Sequence, residues 1–403
     1  MSLYIINNNQ FKTVRILLRF RETLREETVT KRALISNLWE QQNEVYASKA
    51  AFHARLAELY GASFATGVST KGPQHFLSLR MDFVNSAYVG EDVLASAVEF
   101  LRNAVFRSSF DETVFAVEKQ NLERYLLSLN DDNDYLANLR LNELFYQDKR
   151  LQLPPVGTLE LLKNETVERV YDYYRQMLQS NILDIFVFGE VDEAEVRGLF
   201  TAWQLLGAAE PINFFYEQAV KAEPVLLSEQ KEAQQSILMM AWQLPIKYGD
   251  SDYLALQVMN GLFGALPHSK LFSIVRERES LAYEIDSEFD SFAGLFRVSA
   301  GIDAADFEQT KALILKLLED LIAGDFTDEE IQKTKTLLKN SYLMGLDSPA
   351  SLIEQAFLTK NLPERSLSQA AWLAALEAVS KADIVAVARK LSLQTFYFLE
   401  GDN

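Results

Sequence analysis

The sequence predicts an α+β protein made of two tandem homologous repeats, each a mostly antiparallel sheet covered by helices. Its 403 residues exceed what one ordinary hydrophobic core holds, which favours two domains. Predicted strands and helices follow the same order in both halves, and hairpins beside long helices are typical of α+β folds. Apolar residues make up 48% of the chain and charged residues 24%, a balance typical of folded globular proteins.

Two pairs of segments, each pair separated by a little over half the chain, indicate the repeat. "FDETVFAVEKQNLERYLLSLNDD" begins at Phe110 and "FTDEEIQKTKTLLKNSYLMGLDS" at Phe326. In both, acidic or hydroxyl residues after an aromatic predict a capped helix start, and the apolar spacing that follows predicts a long amphipathic helix. "FVFGEVD" from Phe186 and "FYFLEGD" from Phe396 predict a closing strand in each half. With the leading strand and the hairpin of each half, described next, these make four matching features in the same order and indicate one plan used twice.

Within each repeat the pattern predicts a strand, helices, a hairpin, more helices and the closing strand. In the first repeat we expect a strand at 11–20, helices at 30–42 and 47–60, and hairpin strands at 62–69 and 75–83. In the second we expect a strand at 236–246, helices near 250–263 and 269–279, and hairpin strands at 283–289 and 295–301. Mixed polarity and two prolines predict a surface linker at 211–230, between a first repeat at 1–210 and a second at 231–403.

Charge and composition exclude several classes of partner. Lys and Arg number 39 against 57 Asp and Glu, a formal net charge of −18, so the surface repels phosphate backbones and we expect no nucleic acid partner. No apolar run approaches the roughly 20 residues that cross a bilayer, and the first residues show no secretory leader, so we expect no membrane association and a cytoplasmic location. The absence of cysteine excludes disulfides and thiolate zinc sites.

Recognisable catalytic motifs are also missing. The three histidines, His53, His75 and His268, are not spaced as metal ligands, and neither H-E-x-x-H nor H-x-x-E-H occurs. No nucleophile elbow, phosphate loop or dinucleotide fingerprint is present. We therefore expect each histidine to be structural or exposed, and no metal or other cofactor in this chain.

The stretch "SKLFSIVRERESLAYEIDSEFDSFAGLF" from Ser269 is similar to the pattern R-L-F…R-E-x-x-x-L-A-Y…G-x-F of one large family. With the repeat order, it makes nearly the whole chain resemble the pitrilysin/insulinase-type (inverzincin) zinc metallopeptidases, which include the mitochondrial processing peptidases. The resemblance is closest to peptidase-like proteins associated with modification of elongation factor P. It implies a metallopeptidase fold of two repeats and, in active members, H-x-x-E-H on the first helix.

The resemblance implies that this chain has lost the zinc motif. When "LAELYGASFATG" is matched to the family's helix end and following strand, the two metal histidines fall at Ala33 and Asn37 and the base glutamate at Ser36. None of these side chains binds zinc strongly, and serine cannot replace a carboxylate as general base at neutral pH. The third ligand would lie within "EKQNLERYLL", where Glu118 and Glu123 are the candidates.

The second repeat keeps an arginine and a tyrosine that, in the family, reach into the peptide-binding chamber opposite the zinc. They match Arg276 and Tyr283, on either side of a predicted helix-to-strand turn. A phenol can donate a hydrogen bond to an oxyanion, and a guanidinium can orient a substrate carbonyl or carboxylate. Alternatively, "RERE" is a solvated helix end and the tyrosine a core residue.

Some bacterial relatives work as pairs of chains, one with zinc and one with the arginine and tyrosine. The resemblance thus implies a catalytically incomplete subunit that pairs with a zinc-bearing homologue, or with itself, and binds a peptide or protein as an added strand. A binding or scaffold protein in a protein-modification pathway, such as that of elongation factor P, is the main alternative. The third interpretation is an enzyme of unrecognised mechanism. The absence of a visible nucleophile–base pair counts against it.

Overall fold

The computed structural model describes residues 1–201, 203 and 212–402 and contains two five-stranded sheets with helices. The strands are β1 Ser2–Asn7, β2 Thr13–Thr23, β3 Ser63–Lys71, β4 Gln74–Val84, β5 Ile182–Gly189, β6 Val225–Gln230, β7 Ser236–Gln243, β8 Glu284–Asp290, β9 Leu295–Ile302 and β10 Ser392–Glu400. The α-helices are α1 Glu26–Trp39, α2 Lys49–Glu58, α3 Val93–Phe106, α4 Glu112–Ser128, α5 Asn133–Phe145, α6 Lys149–Gln152, α7 Leu159–Lys163, α8 Val167–Ser180, α9 Glu193–Phe200, α10 Tyr253–Asn260, α11 Phe307–Ala323, α12 Asp328–Gly345, α13 Pro349–Asn361, α14 Gln369–Ala378 and α15 Lys381–Ala388. Two π-helical segments, Gly261–Ala265 and Leu271–Arg278, follow α10.

The first sheet has the strand order β1-β5-β2-β4-β3. Only the outer pair β1 and β5 is parallel; the other neighbours are antiparallel. Alternate residues of β2, such as Ile16, Leu18 and Phe20, are completely buried, as the two-residue period of a strand with one face on the core requires. The sheet belongs to a compact unit formed by Met1–Ser128, Leu153–Asn213 and Pro349–Ala356.

The second sheet repeats this topology with the order β6-β10-β7-β9-β8. Again one outer pair, β6 and β10, is parallel and the remaining pairs are antiparallel. Its unit comprises Leu129–Gln152, Phe214–Ser348 and Phe357–Asn403. The predicted α+β class, with two sheet-bearing halves of mostly antiparallel strands, is confirmed.

Two strands were missed by the sequence analysis, β1 and β6. Each pairs in parallel with the closing strand of its own sheet, β1 with β5 and β6 with β10, so nothing next to it in the sequence signals the pairing. The last residues of the predicted linker 211–230 form a strand, because β6 spans Val225–Gln230. The predicted boundary at 210 and 211 lies outside the described residues.

Each compact unit includes a helical segment that the sequence places within the other half. In the second unit, α5 buries Ala137, Leu141 and Phe145 against β7 and β10. This helix covers the face of the second sheet that the main core leaves open. In the first unit, Glu354 of α13 forms ion pairs with Arg19 and Lys71. Among the described residues, no helix is both long and apolar enough to cross a membrane.

Candidate functional site

The three positions that the sequence analysis predicts for the zinc motif lie together in the first unit. Helix α1 carries Ala33, Ser36 and Asn37 on one side, because residues three and four apart share a helix face. All three line a cavity of about 470 Å³. Opposite them, the cavity is lined by residues of β3 and α4. The three side chains therefore face one cavity, and their assignment to the zinc motif stays a prediction.

Of the two candidate glutamates on α4, Glu118 lines this cavity and Glu123 does not. Glu118 is only 7% exposed, whereas Glu123 is exposed to solvent. The Asn121 Nδ2 group donates a hydrogen bond to Glu118 Oε1 over 3.3 Å. No ion pair to Glu118 is found in the part of the chain that the structure describes.

A small hydrogen-bond network closes the α1 side of the cavity. Ser36 Oγ donates to Thr66 Oγ1 over 3.0 Å, and the Thr66 hydroxyl lies 2.8 Å from the carbonyl oxygen of Ser36 and 2.7 Å from Glu40 Oε1. The same carboxylate oxygen accepts the backbone N–H of Thr66 over 2.6 Å. Glu40 thus holds the edge strand β3 against the end of α1. The sequence analysis missed Glu40, although its position four residues after Ser36 was a usable signal.

The cavity does not fit the zinc that the family's motif would hold. In the predicted alignment, a methyl group, a hydroxyl and a carboxamide stand where active members have two imidazoles and a carboxylate. The acidic side chains that line the cavity are Glu40 and Glu118. Zinc sites need three or four imidazole, thiolate or carboxylate ligands. Across residues 1–201, 203 and 212–402, no group of three or more His, Cys, Asp or Glu side chains could hold a metal ion.

The histidines are held in structural positions or exposed, as predicted. His53 is exposed on α2. His75 is completely buried, with Nε2 placed 2.9 Å from the carbonyl oxygen of Pro155; burial and the nearby Arg32 guanidinium hold its pKa well below the usual 6.5. His268 Nε2 lies 2.8 Å from Thr334 Oγ1, and its pKa is also lowered, mainly by burial.

In the second unit, Arg276 lies on the π-helical segment Leu271–Arg278. π-Helical turns are uncommon and recur at functional sites. The buried side chains of Leu271 and Val275 anchor this segment to the core, which leaves the side chain of Arg276 42% exposed. Its guanidinium lies 4.8 Å from the ring centroid of Phe272, an arrangement that orients the charge while leaving it in solvent.

A tight turn then leads from this helix to Tyr283. Ser280 has a left-handed φ of 54°, a conformation in which many helices end, and the Leu281 N–H donates to the carbonyl oxygen of Val275 over 2.9 Å. Leu281 and Ala282 are buried. The backbone N–H of Tyr283 bonds to Gly301 over 2.9 Å, so the residue joins the hairpin as its side chain turns outward.

Tyr283 is 61% exposed, and therefore is not the core tyrosine of the alternative interpretation. Its hydroxyl donates to Asp303 Oδ1 over 2.9 Å. That hydrogen bond and the charge of Asp303 raise the pKa of Tyr283 above its usual value. Asp303 was missed by the sequence analysis. Arg276 and Tyr283 are both exposed on one unit, but among the described residues no hydrogen bond or ring contact joins them.

Comparisons with known proteins agree with this architecture. A family profile described as "Peptidase M16 inactive domain" matches residues 164–338. A Bacillus subtilis protein named "Probable inactive metalloprotease YmfF" is 31% identical over 417 aligned positions, which cover 100% of this chain and 96% of that protein. The chain belongs to the M16 metallopeptidase family.

Solved structures support the assignment of this M16 chain. A conserved protein from Enterococcus faecalis V583 is 39% identical, with a TM-score of 0.96 and coverage of 99% of this chain and 96% of that one. The M16 inactive domain from Pseudomonas fluorescens has the same fold at 17% identity, with a TM-score of 0.83 over 100% of this chain and 96% of that one. The resemblance to inactive members is confirmed, and the chain is an inactive M16 peptidase-like homologue.

Proposed function

We propose that this chain is the catalytically incomplete subunit of a two-chain peptidase, in which a zinc-bearing M16 homologue supplies the metal. In that assembly Arg276 and Tyr283 contact the bound peptide from this subunit. Zinc held by the homologue would supply a Lewis acid and a metal-bound water for the hydrolysis. This chain's contribution is to bind and orient the peptide.

The observation that carries the proposal is the contrast between the two candidate sites. In the first unit, Ala33, Ser36 and Asn37, the residues that the sequence resemblance assigns to the metal motif, line one cavity. The second unit exposes Tyr283 and Arg276 on an ordered helix-to-strand turn. An exposed phenol and an exposed guanidinium are both suited to contact with a polar ligand.

Sheet edges provide the means of binding a peptide. Strands β3 and β8 lie at the edges of their sheets, and an edge strand has unpaired backbone groups that can pair with an extended peptide. Strand β8 begins at Glu284, directly after Tyr283. A peptide paired with this edge would therefore run beside the tyrosine.

The proposal is tested by mixing the purified chain with a zinc-bearing M16 homologue from the same organism and following hydrolysis of a quenched fluorescent peptide library. We expect hydrolysis from the mixture and from neither chain alone. Replacing the glutamate of the homologue's H-x-x-E-H by glutamine should abolish it. Equal hydrolysis by the homologue alone would contradict the proposal, and light scattering of each sample would show whether this chain pairs with the homologue or with itself.

A binding role without proteolysis is the second candidate function, in a protein-modification pathway such as that of elongation factor P. It is favoured by the network of Ser36, Thr66 and Glu40, which makes the former metal corner an intact polar cavity. Under this alternative, the chain retains an acceptor protein or a modifying enzyme on an affinity column while every mixture with M16 homologues stays inactive. The cytoplasmic location and the domain boundaries stay predictions, and cell fractionation tests the location.

A further inference from the structure

The cavity of the first unit is lined by acidic side chains. Two carboxylates face it from different elements, Glu40 at the end of α1 and Glu118 in the middle of α4. Neither has a cationic partner in the part of the chain that the structure describes. Among the residues that the structure describes, Glu40 accepts hydrogen bonds only from Thr66, and Glu118 only from the Asn121 amide.

Of the two carboxylates, Glu118 gives the stronger indication of a cationic ligand. It is more than nine-tenths buried, yet it has a single neutral hydrogen-bond donor from a residue of its own helix. A carboxylate removed from water is costly unless it is paired or well hydrogen-bonded. The carboxylate of Glu118 can accept further hydrogen bonds, and it lines the cavity. A cationic ligand bound there would give this carboxylate an ion-pair partner.

The other lining side chains suit the same ligand. Tyr125, 50% exposed, lies one turn beyond Asn121 on α4 and also lines the cavity. An aromatic face attracts an ammonium or guanidinium group. Asn37 and Ser36 add neutral oxygen acceptors, and the net charge of −18 attracts cations at long range.

We infer that this cavity binds the positively charged side chain of a peptide, lysine or arginine, between Glu118, Glu40 and Tyr125. The inference rests on the proposed peptide-binding function and adds the class of side chain that is recognised. The cavity volume of about 470 Å³ is ample for such a side chain, and the edge strand β3 forms one of its walls through Thr66, Gly67 and Val68.

Fluorescence anisotropy with labelled pentapeptides tests the inference on the full chain. One probe carries a central lysine, a second carries Nε-acetyl-lysine, and a third carries norleucine. We expect the lysine peptide to bind at least about tenfold more tightly than the other two, with an affinity that falls as salt increases. The Glu118→Gln variant should lose this preference, whereas Glu123→Gln, an exposed change on the same helix, should keep it.

A tethered cation provides a second readout that needs no peptide. Asn37→Lys places an ammonium group at the cavity wall, and Asn37→Met places an uncharged side chain of comparable length there. We expect Asn37→Lys to have the higher Tm and to lose the preference for the lysine peptide.

The outcomes separate this inference from the proposed function. Equal binding of all three peptides, or a lower Tm for Asn37→Lys than for Asn37→Met, would overturn the cationic pocket and leave peptide binding intact. Failure of every peptide to bind, both to the chain and to its mixture with the zinc-bearing homologue, would overturn both.

Discussion

The hydroxyl of Tyr283 donates its one proton to Asp303 Oδ1, 2.9 Å away. A phenol has a single donor, so the oxygen presents lone pairs to any ligand while this bond is intact. Such a group accepts a hydrogen bond from a peptide N–H or a cation. To donate to an oxyanion, it must first leave Asp303. Asp303 is therefore a positioning residue that sets which role Tyr283 can play.

Replacing Asp303 by asparagine removes the charge beside the phenol and keeps a side-chain oxygen. Because the Asp303 hydrogen bond and charge raise the pKa of Tyr283, we expect Asp303→Asn to lower that pKa toward 10. The measurement is an NMR titration of ¹³C-labelled tyrosine, with the signal assigned through Tyr283→Phe. Asp306→Asn, a change at a more distant carboxylate that contributes less, is the control. An unchanged pKa in Asp303→Asn would show that the bond does not persist in solution.

His75 makes the stability of the first unit depend on pH. Its folded pKa lies well below the usual 6.5, so the unfolded chain takes up a proton first as the pH falls. Stability is thus retained above pH 6.5 and declines below it, by up to about 1.4 kcal/mol per pH unit for one proton. We expect His75→Gln to flatten the decline of urea-unfolding free energy just below pH 6.5, and the exposed His53→Gln to leave it unchanged. Parallel curves for the wild type and His75→Gln would be inconsistent with a neutral buried histidine.

Glu354 links α13 to the first sheet through ion pairs with Arg19 at 3.0 Å and Lys71 at 3.1 Å. Burial raises the pKa of Glu354, but the two cations and their hydrogen bonds outweigh it and leave the pKa below normal. The stabilisation is therefore present above the unfolded pKa and is lost as the pH falls through the folded one.

We expect Glu354→Gln to lower the unfolding free energy by about 1–3 kcal/mol at neutral pH, because it removes the ion pairs that Glu354 forms with two partly buried cations. The exposed Glu364→Gln should change it by less than about 0.5 kcal/mol. Equal urea midpoints for the two variants would mean that the ion pairs contribute nothing.

Restoring the lost motif tests whether the cavity is the former metal corner. The triple variant Ala33→His, Ser36→Glu, Asn37→His recreates H-x-x-E-H on α1, opposite Glu118. We expect stoichiometric zinc after dialysis, measured by plasma mass spectrometry, and none in the wild type. Adding Glu118→Ala should remove the zinc, whereas adding Glu123→Ala should not. A triple variant that binds no zinc, or that depends on Glu123 instead, would show that the alignment is displaced.

Much of the fold could be predicted because its signals are local. The pair of long helices was expected from "FDETV" and "FTDEE", and their starts are capped: Asp111 accepts the backbone N–H of Thr113, and Thr327 forms a capping box with Glu330. The edge strands β1 and β6 could not be found in this way. Both pair with strands about 170 or more residues away, and none of their residues is buried in the core.

Some residues of the candidate site could likewise be predicted from local spacing, and others could be found only from the folded structure. Helical spacing was sufficient to group Ala33, Ser36 and Asn37, and the structure decides between the two glutamates of α4 by burying Glu118. Asp303 could not be found from spacing, because it lies 20 residues after Tyr283 and reaches it only when the hairpin of β8 and β9 forms. The role of Arg276 and Tyr283 stays a proposal, since it depends on a second chain.

The most direct test of the central claim is kcat/KM for peptide hydrolysis by the reconstituted pair, with variants in this chain alone. We expect Tyr283→Phe to lower kcat/KM by about 10²–10³-fold if the phenol contacts the reacting carbonyl, and Arg276→Gln to raise KM. The matched surface changes Tyr88→Phe and Arg278→Gln should leave both constants unchanged. An active pair whose kcat/KM and KM are the same with Tyr283→Phe and Arg276→Gln as with the wild type would contradict the claim that this chain supplies part of the active site.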